Sequence, residues 1–340
     1  MCLPARGLRL IGPGKFQVSV VNCFPVEIAR DESLELSARI LLVAISPTPS
    51  ASANLCRVLS LDGGGAKGFY TLGVLKELEA MVGHPLSNHF SLIFGTSTGA
   101  IIAALLALGR SVDEIHQLYK EHVPTVMCNR NARGRSRALA HLAKIVFEGR
   151  TFADVKTGIG IVATRWDFEK PMIFKSGVEQ AHGRHATFEP GFGGTIADAV
   201  RGSCSAYPFF ERHTVKTGSG DTVELFDGGY CANNPTLYAI ADAILALKRS
   251  PSDLRVVSVG VGVYPEPKRW KSWFAKRFWG VQLLQKTLNV NTVSNGPVAN
   301  RSIQRYFDSP HQRHLRPPGD GNGPDGIRPD KAQPAIPARP

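Results

Sequence analysis

Gly95-Thr96-Ser97-Thr98-Gly99 constrains this chain more than any other stretch, because it sets a serine in the corner between a strand and a helix. The apolar run Ser91–Phe94 before it suits a buried strand. The uncharged, small-residue run from Thr98 to Leu108 after it suits a buried helix. A serine in such a corner cannot tuck its hydroxyl into either element, so the oxygen stands above the sheet. Gly95 and Gly99 are required because side chains there would collide with the neighbouring strand and helix. This is the Gly-x-Ser-x-Gly nucleophile elbow. The pentapeptide also occurs in ordinary turns, so its meaning rests on the rest of the chain.

A second glycine cluster lies upstream. Arg57–Leu61 reads as a strand and runs into Asp62-Gly63-Gly64-Gly65-Ala66-Lys67-Gly68. A helix is predicted from about Phe69 to Val82, with Leu72, Leu75, Leu78 and Val82 at three-to-four spacing. Consecutive glycines between a strand and a helix leave backbone N–H groups bare at a helix N-terminus, an anion site. In acyl transfer that anion is the oxyanion of the tetrahedral intermediate. A rival reading is a nucleotide site, since Gly63, Gly65 and Gly68 satisfy Gly-x-Gly-x-x-Gly. That fingerprint expects an acidic residue about 20 positions on, at the tip of the next strand. Here the next strand ends in Phe94-Gly95, and Glu77 and Glu79 belong to the intervening helix. A phosphate-binding P-loop is excluded, because Phe69 follows Gly68 where Lys-Ser/Thr is needed.

The third segment is the strand candidate Val223–Phe226, ending in Asp227-Gly228-Gly229. Asp-Gly turns are common, but a serine nucleophile needs a proton acceptor within hydrogen-bond reach. In the order Ser, Asp, His the histidine would follow Asp227. Only His311 and His314 do, and both fall in a Pro/Gly-rich tail. A two-residue Ser97–Asp227 engine is the economical alternative.

These three motifs, in this order and spacing, resemble the patatin-like phospholipase family over roughly Arg57 to Gly262. The resemblance implies a three-layer α/β/α sandwich, doubly wound, with a mainly parallel central sheet. It implies Ser97 as nucleophile, Asp227 as its activator, and the amides of Gly63, Gly64, Gly65, Ala66, Lys67 and Gly68 as the oxyanion hole. Lys67 stands where the family often has Arg, and Gly229 where it often has Ala. Ser203–Phe210 is similar to the segment that lines the family's site, with Pro208 fixing its turn. The activity implied is two-step hydrolysis of phospholipid or related lipid esters, without metal or cofactor. An exposed carboxylate, with a pKa of about 4, is a feeble base, so the mechanism requires Asp227 to be partly desolvated. The competing class is a non-catalytic nucleotide-binding α/β module that keeps the glycine loop.

Continuous apolar runs at Gly158–Ala163, Met172–Phe174 and Val256–Val263 read as strands buried on both faces. They alternate with helix candidates at Val112–His122, Ala138–Phe147, Ile196–Ser203 and Thr236–Lys248, which argues for a parallel sheet covered on both sides. The main domain is expected at 55–308. An N-terminal extension covers 1–54, with the alternating run Phe16–Val21. A tail covers 309–340 and carries 8 of the 23 prolines, a composition that cannot bury enough surface to order itself. Six scattered cysteines with no Cys-x-x-Cys pair suggest a reducing, cytoplasmic setting, and Cys204 and Cys231 read as small buried hydrophobes.

The net charge of +12 bears on partners. Arg130–Arg137 carries four arginines in an expected loop. Pro265–Leu288 carries six Lys/Arg with Trp270, Trp273, Phe274, Phe278, Val281, Leu284 and Leu288 at helical steps and Trp279 beside them, a pattern suited to an anionic lipid surface or to packing on protein. The chain is thus expected at a membrane surface, peripherally, when active. No recognised nucleic-acid-binding module accompanies the basic clusters, so genomic binding is not expected. The chain is also similar to bacterial patatin-like effectors that a cyclic oligonucleotide switches on, and its arginines suit that ligand's phosphates.

Overall fold

The computed structural model describes residues 55–262 throughout and, before them, two strands, β1 (Leu8–Leu10) and β2 (Phe16–Asn22). Seven further strands follow: β3 (Cys56–Leu61), β4 (Leu92–Thr96), β5 (Gly158–Arg165), β6 (Lys170–Lys175), β7 (His213–Lys216), β8 (Thr222–Asp227) and β9 (Leu254–Val259). They form one sheet in the order β1-β2-β9-β3-β4-β5-β8-β7, with β6 also on β5. The centre, β9-β3-β4-β5, is parallel, and every other pairing is antiparallel.

Side chains of opposite parity on the central strands feed two separate cores, as a period of two requires. Leu59, Leu61, Ile93, Ile159, Ile161, Val257 and Val259 face one core. It is covered by α1 (Gly68–Val82), α2 (Thr98–Ala107), α3 (Val112–Met127), α4 (Ala132–Phe147) and α5 (Ile196–Ser203). Val58, Leu92, Phe94, Val162, Leu254 and Val256 face the other, under α7 (Thr236–Ala241), which follows the one-turn helix α6 (Gly229–Ala232). The layers are therefore helix, sheet, helix. α2 is apolar all round because it is wedged between β4 and the outer helices, so nearly all of its residues are buried.

Three expectations need correction. Met172–Phe174 is not a parallel crossover strand: β6 returns on β5 as an antiparallel hairpin. The arginine run at 130–137 is not a loop, because Asn131 caps α4 by accepting the Gly134 N–H at 2.7 Å and starts the helix at Ala132. The single helix expected over Thr236–Lys248 breaks after Ala241 into a π-helical turn, Asp242–Ala246. That turn buries Asp242 beside Lys175, His182 and Gln180.

Candidate active site

The register of β5 brings the site together. Val162 pairs with Thr96 of β4, and the next residue, Ala163, pairs with Asp227 of β8. Because β6 occupies the opposite edge at both positions, β4 and β8 share one edge of β5. Running in opposite directions, they meet end to end, and their C-terminal residues lie one step apart. Asp227 was expected at the tip of a parallel strand; it arrives instead on an antiparallel one. Gly228 makes the approach possible, since a Cβ there would overlap the Val162 carbonyl.

Ser97 follows Thr96 directly, with φ 52° and ψ −123°, a backbone region costly for any residue with a side chain by roughly 1–3 kcal/mol. Its Cβ and hydroxyl are thereby turned out of both β4 and α2. A Cβ on Gly95 would overlap the Gly99 carbonyl, and one on Gly99 would overlap the Leu61 carbonyl. Both elbow glycines are thus fixed by backbone contact, and Gly99 seats α2 on the end of β3. Thr96 donates its hydroxyl to the Ala232 carbonyl at 2.7 Å, tying the elbow to the helix after Asp227.

Ser97 Oγ donates to Asp227 Oδ2 at 2.7 Å. The other carboxylate oxygen accepts the Gly229 N–H at 2.7 Å, so Gly229 holds the acid in orientation. Asp227 is 2% exposed. Burial pushes its carboxyl up to about 6, against the Ser97 hydroxyl and the Gly229 amide, which both favour the charged form. The desolvation that the mechanism requires is therefore present. Among the described residues no histidine bonds either member of the pair, and no group of three or more His, Cys, Asp or Glu could hold a metal ion.

The glycine loop lies against Ser97. A Cβ on Gly63 would sit 3.2 Å from Ser97 Cβ and would overlap Asn233 Oδ1. Thr98 Oγ1 donates to the Gly65 carbonyl at 2.6 Å, joining loop and elbow. Gly65 has φ +58°, open only to glycine at no strain. The six amides divide. Gly63 N–H is engaged by the Asn233 carbonyl, Lys67 N–H by Gly64, and Gly68 N–H by Gly65. The amides of Gly64, Gly65 and Ala66 have no acceptor among the described residues. Burial holds the Asp62 carboxyl, at the loop's start, well above the ordinary carboxylate range.

Several supports carry no sequence motif. Ser203 Oγ accepts the Ser97 N–H at 2.8 Å and donates to the Val162 carbonyl at 2.5 Å. The Ser205 carbonyl accepts the Asp227 N–H at 3.0 Å, and the Ser203 carbonyl the Gly228 N–H at 3.2 Å. The segment 203–205 thus braces both ends of the pair, which goes beyond the lining role expected of Ser203–Phe210. Tyr119, buried on α3, donates to the Thr98 carbonyl at 3.0 Å. Asn233 Nδ2 donates to the Gly63 carbonyl at 3.3 Å. An asparagine pair four residues past Gly229 was the available signal for this last contact. Cys204 is buried and Cys231 half-buried, where Thr164 donates to the Cys231 Sγ at 3.2 Å. Trp270, Trp273, Phe274, Phe278, Trp279, His311 and His314 lie outside the described residues.

The family model described as patatin-like phospholipase matches residues 59–240. A cUMP-AMP-activated phospholipase of Escherichia coli is 66% identical over 248 residues, covering 73% of this chain and 78% of the relative. A cGAMP-activated phospholipase of Vibrio cholerae is 28% identical over 61% of this chain and 64% of its own. Another of that description from Pseudomonas aeruginosa is 28% identical over 60% of this chain and 61% of its own.

Proposed function

The chain belongs to the patatin-like phospholipase family and is a lipid acyl hydrolase, and we propose that Ser97 and Asp227 carry its chemistry as a nucleophile and base. The observation that carries this reading is the 2.7 Å hydrogen bond from the strained Ser97 to the buried Asp227. Ser97 Oγ attacks the ester carbonyl carbon as Asp227 takes its proton. The carbonyl oxygen becomes an oxyanion and is received by the unengaged amides of Gly64, Gly65 and Ala66. The intermediate collapses to an acyl-Ser97 ester, and the leaving alcohol takes the proton from Asp227. Water then gives a proton to the same carboxylate and attacks the acyl-enzyme, releasing fatty acid and restoring Ser97. An aspartate titrating near 6 is a stronger base than an exposed one and is still ionised at neutral pH.

The substrate class is a phospholipid or related lipid ester met at a membrane surface, with the chain bound peripherally. Among the described residues no helix is long and apolar enough to cross a membrane. Activation by a cyclic dinucleotide is the regulation we propose, supported by relatives of that description, of which the one at 66% identity is a cUMP-AMP-activated phospholipase. A fluorophosphonate probe should label Ser97 stoichiometrically, and Ser97→Ala and Asp227→Ala should each abolish release of fatty acid from mixed bacterial lipid. Retained turnover in either purified, folded variant overturns the dyad.

A further inference from the structure

α4 and α5, with the start of β7, enclose a polar cavity of about 150 Å³. Arg137, Arg201 and Arg212 line it with Ser136 and His213, and Glu211 is the one carboxylate in its wall. Arg137 is exposed and has no partner among the described residues. Arg201 holds Asp198 only loosely, at 3.7 Å, while Arg212 pairs with Glu224 at 3.1 Å and stacks 4.3 Å over Trp166. Three guanidinium groups around one small cavity present planar N–H forks to an anion, the geometry that suits a phosphate. The space admits a phosphate group. Beside it Trp166 and Tyr207 expose aromatic rings, 40% and 43% accessible, of the kind on which nucleobases stack.

The cavity and the catalytic pair share a wall. The Arg201 carbonyl accepts the Ser205 hydroxyl at 2.7 Å, and the Ser205 carbonyl accepts the Asp227 N–H at 3.0 Å. Between them, Ser203 holds the Ser97 N–H. An anion drawing on Arg201 therefore acts on the turn that positions both catalytic residues. A second polar cavity, about 280 Å³ with Arg110, Arg150 and Lys156, sets Glu114 and Glu148 against its cations. It lies past the C-terminal end of α2, a helix length from Ser97.

We infer that the cavity lined by Arg137, Arg201 and Arg212 binds a phosphodiester of the activating cyclic dinucleotide and transmits its presence to the dyad through residues 201–205. This rests on the activation reading above. The test is calorimetric titration of the full chain with cyclic UMP-AMP, for wild type, Arg137→Glu and Arg201→Gln, alongside the rate of fluorophosphonate labelling of Ser97. Wild type should bind, and labelling should accelerate. Each variant should weaken binding by roughly tenfold or more and lose the acceleration, with thermal stability of Arg137→Glu unchanged. Equal binding by wild type and both variants overturns the site and leaves activation standing. Absence of binding by wild type overturns activation and the site with it. A phospholipid headgroup offers the same phosphate chemistry. If, without nucleotide, the variants slow hydrolysis of phosphatidylglycerol but not of p-nitrophenyl butyrate while binding the nucleotide normally, the cavity serves the headgroup and the inference fails.

Discussion

Ionising Asp227 inside the fold costs stability and, in the proposed mechanism, supplies the base, so a single titration should expose both. Its carboxyl titrates near 6 against 3.8 for the ordinary group, a difference equivalent to about 3 kcal/mol on the charged form. Because the folded pKa is the higher one, the folded chain holds the extra proton between about pH 4 and 6. This group's contribution to stability therefore falls as pH rises through that window. Asp227→Asn keeps an acceptor for the Gly229 N–H and deletes the charge. It should be inactive, more stable than wild type at pH 8 by roughly 1–3 kcal/mol, and no more stable at pH 4. Urea unfolding at the two pH values measures this. Wild-type kcat/KM should rise with pH to a plateau above about 6, and a flat profile from pH 4 to 8 would place the base elsewhere. Ser203→Ala tests the brace. It strips the Ser97 N–H of its acceptor and the Val162 carbonyl of a donor, and should cost about 1–3 kcal/mol. Turnover of a soluble ester should drop about tenfold with KM little changed, because the loss is in how Ser97 is aimed.

At the scale of elements, what the sequence reveals depends on whether a constraint is local. Gly95, Gly99 and Gly228 each sit where a Cβ would strike a backbone carbonyl, and such constraints leave a fixed spacing that can be read. Gly99→Ala should accordingly yield little folded protein, since neither α2 nor β3 can withdraw without undoing the elbow. The direction of β8 was not legible: a six-residue strand that alternates polar and apolar side chains carries no mark of which way it runs, and its head-on meeting with β4 depends on β5. Ser203 was not legible either. It works through one hydroxyl placed by α5, and a serine at a helix end has many commoner explanations. In the proposed oxyanion hole the loss of the Gly63 amide depends on Asn233, 170 positions away, whereas Lys67 and Gly68 are engaged locally by Gly64 and Gly65. α4 began early for a reason that was present but outweighed, since Asn131 is a good cap and the arginines after it are good helix formers. Asn131→Ala should lower stability by about 1 kcal/mol in thermal unfolding without changing turnover.

For the whole molecule the open quantity is how a strongly cationic chain reaches its substrate. A Ser97–Asp227 pair set where the carboxyl ends of β4 and β8 meet inside the sheet reaches a lipid ester only when the surface around it meets a bilayer. The net charge of +12 favours anionic lipid, by about 1 kcal/mol for each Lys or Arg close to the surface. Trp270, Trp273 and Trp279, spaced among six Lys/Arg, are the sequence's best candidates for anchoring. If they serve the interface and not internal packing, replacing all three by alanine separates two activities that a packing defect would lower together. Binding to phosphatidylglycerol vesicles should weaken by roughly tenfold or more, with a matching loss of phospholipid hydrolysis, while p-nitrophenyl butyrate turnover and thermal stability stay within error. Raising salt should weaken vesicle binding by wild type and leave the soluble ester untouched, because it screens the lysines and arginines and not the dyad. Equal loss on both substrates, or vesicle binding indifferent to the tryptophans, would assign these rings to the protein's interior and the membrane contact to another surface.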